Sequence, residues 1–116
     1  MIASLFAPPH CRGMAQAAPE TRIPREMHPD RIGARMRLIR EAFGLKPAEI
    51  ADMLDIERTY WSRFEGGRRP INDEVAYLLV DRFGVTLDFL MLGRWDTLRL
   101  DVAEKLRAAA KSIDAS

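Results

Sequence analysis

Helical periodicity cut short by glycine is what most limits this chain. Between residues 30 and 93 apolar residues recur at three- and four-residue steps, and glycine or proline ends most of the runs early. Ile32, Met36, Ile39 and Phe43 share one helical face, with Asp30 placed to cap it and Gly44 to stop it. A second run begins at Lys46 with Pro47 in the first turn, where proline is tolerated. Ile50, Ala51 and Leu54 form its inner face; Glu49, Asp52 and Asp55 lie outside. Ile56 follows with no room for a long loop, and a third run ends at Gly66, Gly67 and Pro70. A fourth, over 73–83, has Asn72 as cap, Ala76, Leu79, Val80 and Phe83 inward, and Gly84 as stop. A short fifth starts after Thr86, holds Leu87, Leu90 and Met91, and closes at Gly93. A sixth, over 101–113, carries the stripe Val102, Leu106, Ala109 and Ile113, with Asp101 and Glu104 as a capping-box-like start. No β-type alternation or internal repeat is present. The pattern predicts an all-α fold: a five-helix bundle plus a C-terminal helix.

Residues 1–28 are rich in proline and have no sustained period, which predicts a disordered leader. Met14 and Met27 inside it leave a later start codon open. Residues 29–93 then form the domain, and 94–116 a linker and helix. The C-terminal stripe could pack back on the bundle or form a dimer interface. Its narrow, Ala-rich face after a linker with an exposed-looking Trp95 favours dimerisation.

The 116 residues suffice for one small domain. A net charge of +1 argues for no partner in bulk, so any nucleic-acid reading rests on local asymmetry. The single cysteine, Cys11, cannot close an intramolecular disulfide, and a cytoplasmic setting is expected. No apolar run reaches the roughly 18 residues of a membrane span, and the N-terminus lacks the basic region and cleavage site of a signal peptide.

The local asymmetry lies in residues 56–70, which hold four arginines against Glu57 and Glu65. Two short helices across a tight turn within about 20 residues are the footprint of a helix-turn-helix. Ala51 is small enough for a close crossing, Asp55 occupies the turn, and Ile56 tucks it under the core. At 100° per residue, Tyr60, Trp61 and Phe64 fall on one half of the third helix, and Arg58, Thr59, Ser62 and Arg63 on the other. A helix in the major groove reads base edges from its N-terminal positions, and the arginine fork matches guanine O6 and N7. Arg58, Thr59 and Arg63 are therefore the candidate base readers. Lys46, Tyr60, Ser62, Arg68 and Arg69 are the candidate phosphate contacts.

Residues 30–93 resemble the Cro/repressor-type (xenobiotic-response-element-like) helix-turn-helix proteins. The resemblance rests on "IGARMRLIREAFGLKPAEIADMLDIERTYWSRFEGGRRP" followed by "FGVTLDFLMLG". It implies a compact five-helix bundle with the third helix in the major groove of double-stranded DNA. It also implies a partly buried ion pair between Arg40 and Glu65 that orients this helix. Members usually act as homodimers on two-fold symmetric sites, as repressors or activators, or as antitoxins. The sequence departs from the pattern at Lys46–Pro47, where a phosphate-gripping Gln is usual. It departs again at Asp55, where Gly is usual, and at Glu57, where a Ser or Thr cap is usual.

Other readings carry less. The rings of Tyr60, Trp61 and Phe64 could stack on single-stranded nucleic acid, but they share the core side. Arg31, Arg35, Arg37 and Arg40 could be a phosphate stripe, although a basic face is more often simply solvated. His10 and Cys11 lack the converging ligands of a zinc site, and His28 stands alone. No cofactor, metal or enzyme is expected, because no nucleophile–base or metal-ligand spacing occurs. A rival of another class is a protein-interaction module on the same fold, such as an antitoxin or antiactivator.

Overall fold

The structure, a computed structural model, describes residues 23–115. It is helical throughout, with a 3-10 turn at Arg25–Met27 and six α-helices: α1 Pro29–Ala42, α2 Pro47–Met53, α3 Arg58–Glu65, α4 Asp73–Phe83, α5 Leu87–Leu92 and α6 Leu100–Ala115. No strand occurs among the described residues. The expected fold class is the one observed. None of these helices is long and apolar enough to cross a membrane.

The first three helices end in the same way. In each, the first residue past the cap adopts a left-handed conformation, and two backbone N–H groups fold back on the last carbonyls. After α2, Ile56 N donates to Ala51 O (2.8 Å) and Asp55 N to Asp52 O (3.2 Å). After α3, Arg68 N donates to Arg63 O (2.9 Å) and Gly67 N to Phe64 O (3.2 Å). After α1, Leu45 N donates to Arg40 O and Gly44 N to Glu41 O, both at 3.1 Å. The left-handed residues are Gly44 at φ 70°, Asp55 at φ 57° and Gly67 at φ 75°. Asp55 is the only residue other than glycine with positive φ among those described. At α4 the cap predicted from sequence performs the expected bonding, and at α5 Thr86, which precedes the helix as expected, caps it in the same way. Asn72 Oδ1 accepts from Val75 N (2.9 Å) and Thr86 Oγ1 from Phe89 N (3.0 Å). At α1 the prediction fails: the helix starts at Pro29, and His28, not Asp30, takes the cap position without a side-chain bond.

α1 is the central element and packs on both α3 and α6. Ile32, Met36 and Ile39 from α1 are buried with Ile50, Ala51, Trp61, Phe64, Leu79, Phe89 and Leu90 in one core. The α1–α3 crossing is very close. A Cβ on Gly33 would lie 2.5 Å from Phe64 O and 2.6 Å from Glu65 O, so only glycine fits there. A Cβ on Gly67 would lie 2.8 Å from Asp30 Cα. These two glycines set how near the end of α3 comes to the first helix.

Three expectations are corrected here. Arg35, expected on the exposed side of α1, is buried at 9% exposure because the bundle has a use for it. Its Nη1 donates to Leu90 O (2.8 Å) and Glu26 O (2.9 Å), and its Nη2 pairs with the Glu26 carboxylate. Desolvation lowers the Arg35 pKa and Glu26 counteracts that shift. The end of the expected disordered leader is accordingly structured: residues 25–27 form the 3-10 turn that Arg35 ties to α5. Residues 1–22, including His10 and Cys11, lie outside the described residues. Finally, most of the C-terminal stripe packs back on the bundle. Val102 and Leu106 belong to the main core, and Ala103 and Ala109 are buried. Lys105 Nζ sits 5.3 Å from the Phe43 ring centre. Trp95 is half-buried, edge-on to Phe89 at 5.2 Å, with the Arg107 guanidinium 5.9 Å from its ring.

Candidate nucleic-acid interface

α3 is amphipathic in the sense its spacing requires. Trp61 is fully buried and Phe64 is 3% exposed, whereas Arg58, Thr59, Ser62 and Arg63 are exposed. A buried aromatic pair of this size fixes the helix rotation about its axis. A stacking role for Trp61 and Phe64 is thereby ruled out. Tyr60, grouped with the core side in the sequence, lies instead at the rim, 42% exposed, with the Arg69 guanidinium 4.7 Å from its ring centre.

The pairing of Arg40 with Glu65, implied by the family resemblance, is present. Arg40 Nε donates to Glu65 Oε2 (2.8 Å) and Nη2 to Oε1 (2.9 Å), a two-pronged arrangement. Arg40 Nη1 donates to Leu45 O (3.0 Å), and Trp61 Nε1 donates to the same Glu65 Oε2 (2.8 Å). The hydrogen bond to Glu65 raises the Arg40 pKa. The C-terminal end of α3 is thus tied to α1 by a carboxylate accepting three hydrogen bonds. The bond from Trp61 to Glu65 was open to sequence reasoning only through their four-residue separation, which puts the two on one helical face.

Backbone bonds from Arg68 N and Arg69 N to Arg63 O (2.9 and 3.2 Å) hold both arginines directly behind the helix. The side chains of Lys46, Arg63 and Arg68 have no ion-pair partner among the described residues. An open cleft of 460 Å³ lies between α1, the start of α2 and the end of α3, bordered by Arg37, Pro47, Ser62 and Arg68. Lys46, the N-cap of α2, bonds through its backbone N–H to Glu49 Oε1 (2.7 Å), and the residue is exposed.

Arg58 is the exception. Its Nη2 donates to Asp52 Oδ2 (2.7 Å) and its Nε to Oδ1 (3.2 Å), across the turn between α2 and α3. Both side chains are more than half exposed. The hydrogen bond from Arg58 pulls the Asp52 pKa below the ordinary carboxylate range. A six-residue separation across a helix break carries no periodic signal, so the sequence places Asp52 only on the outer side of α2. Glu57, the N-cap of α3, makes no side-chain cap bond. Among the described residues no group of three His, Cys, Asp or Glu side chains converges; His28 Nε2 is buried without a hydrogen-bond partner.

Two short helices joined by a tight turn, the second pinned through its aromatic face, define a helix-turn-helix. A helix-turn-helix domain family model matches residues 31–89, just over half of the chain. The chain belongs to that family. It is 35% identical over 57 residues to the HTH-type transcriptional regulator PrpR of Mycobacterium tuberculosis. The match spans 49% of this chain but only 12% of that relative's length. No solved structure matches.

Proposed function

We propose that this chain is a sequence-specific DNA-binding transcriptional regulator, a homodimeric repressor that acts in the cytoplasm by occupying its site. The observation that carries this reading is the face of α3. Its core side is locked by Trp61, Phe64 and Glu65, and its outer side offers Arg58, Thr59, Ser62 and Arg63 on a fixed rod. Kinship with a helix-turn-helix transcriptional regulator supports it. In this reading α3 enters the major groove, and Arg58, Thr59 and Arg63 contact base edges. Lys46, Tyr60, Ser62, Arg68 and Arg69 hold phosphates, with the cleft beside Arg37 and Arg68 as one phosphate seat. The α4–α5 surface, where Tyr77 is 62% and Leu87 53% exposed, suits contact with a second copy.

Selection of bound duplexes from a random pool tests the reading. A two-fold symmetric site is expected, with affinity falling steeply as salt rises. Arg58→Ala should lose discrimination at one base pair, at a cost of about 1–3 kcal/mol. Equal weakening on every sequence would remove Arg58 from base reading. One observation favours a second reading, a protein-interaction module such as an antitoxin or antiactivator: the start of α3 carries the uncapped Glu57, and Arg58 is neutralised by Asp52. Failure to shift any duplex, even at low salt, supports that alternative.

A further inference from the structure

We propose that Asp52 is a positioning and specificity-determining residue: from α2 it holds the Arg58 guanidinium so that one defined edge faces a base. The inference rests on α3 being the base-reading helix. Its warrant is which atoms are engaged. A guanidinium has five N–H donors. Asp52 takes one on Nε and one on Nη2, at 3.2 and 2.7 Å. Three donors remain, on Nη1 and Nη2, and they form the forked edge that matches O6 and N7 of a guanine. A free arginine on a solvent-exposed helix samples many rotamers and loses that freedom on binding. Arg58 is restrained beforehand by a carboxylate on a neighbouring helix that is itself anchored, since Ile50 and Ala51 beside Asp52 are fully buried.

The turn geometry makes the reach possible. Asp52 O accepts from Asp55 N at 3.2 Å, so the residue carrying the carboxylate is part of the turn that sets α3 against α2. Asp52 also offsets the positive charge of Arg58, so the pair is neutral and adds little to non-specific attraction for phosphate. The consequence is a trade: weaker binding to any duplex, stronger preference for the correct base pair.

The test begins with the full-length wild type and a random duplex pool. Arg58→Ala then identifies the base pair whose preference depends on Arg58. Asp52→Ala and Asp52→Asn are measured on the selected duplex, on its three alternatives at that base pair and on a scrambled duplex. For Asp52→Ala, discrimination at that one base pair should fall about ten-fold, while affinity for the scrambled duplex stays level or rises. Asp52→Asn, which keeps one acceptor oxygen, should retain part of the discrimination. The double variant Asp52→Ala/Arg58→Ala should lose no more than Arg58→Ala alone, and thermal melts of the Asp52 variants should match the wild type. Uniformly higher affinity on all duplexes with discrimination intact would make Asp52 a mere charge brake and overturn the proposal. So would Arg58→Ala with no position-specific loss. A wild type that recovers no duplex overturns the DNA-reading function itself, and because it is measured first that failure is distinct from a failure at Asp52.

Discussion

Arg40 and Glu65 show how much of this protein depends on a single carboxylate. Their side chains are only 10% and 15% exposed, and Glu65 also satisfies Trp61 Nε1. Removing the acid leaves the partly buried guanidinium with only Leu45 O and the Glu41 carboxylate, and the indole N–H without a partner. Glu65→Ala should therefore cost about 3–5 kcal/mol, measured by urea unfolding, far more than loss of a surface pair. Glu65→Gln, which keeps an acceptor for the indole, should cost less. Asp55 poses a smaller problem of the same kind. It stands at φ 57° where α1 and α3 use Gly44 and Gly67 in the same motif. A left-handed residue with a Cβ is strained, and Asp tolerates that strain better than most. Asp55→Gly should stabilise by about 0.5–1 kcal/mol and Asp55→Val should destabilise, in the same unfolding assay.

At the scale of elements, the boundaries of α2 through α5 could be read because they depend on local chemistry. Pro47, Asn72, Thr86, Gly84 and Gly93 act within a turn of where they stand. What could not be read depends on distance. Arg35 looks like any exposed helical arginine until the 3-10 turn and α5 place Glu26 and the Leu90 carbonyl around it. The Asp52–Arg58 pair is created by the angle between two helices, which no spacing in the chain encodes. Gly33 did leave a local sign, a helix-weakening residue inside a strong helical pattern, whose reason is the carbonyls of Phe64 and Glu65 against it. The poor start of α3 is an element-level defect with an element-level remedy. Glu57 contributes no cap bond, so the first N–H groups of α3 lack the side-chain acceptor that Asn72 and Thr86 give α4 and α5. Glu57→Ser should add about 1 kcal/mol of stability. If α3 enters DNA, it should also tighten binding to all duplexes by removing a negative charge from the interface. Higher thermal stability without tighter binding would separate the cap from the charge.

For the whole molecule, the decisive fact is where α6 lies. An apolar stripe reads the same in sequence whether its partner is the chain's own core or a second subunit, because periodicity specifies a face and not what covers it. Here Val102 and Leu106 complete the core and α6 packs on α1, the helix that also supports α3 through Gly33 and Arg40. One helix thus connects the C-terminal segment to the proposed DNA-reading surface, and the chain should unfold as a single cooperative unit. Leu106 is fully buried, so Leu106→Ala should cost about 2–5 kcal/mol. The loss should appear as one transition shifted to lower denaturant, reported equally by far-UV circular dichroism and by fluorescence of Trp61 and Trp95. If α6 were an independent dimerisation arm, the same substitution would leave the bundle's transition in place and weaken only self-association, visible as a change in sedimentation. The coincidence of the two spectroscopic transitions decides between these architectures, since Trp61 reports the α3 core and Trp95 the segment leading into α6.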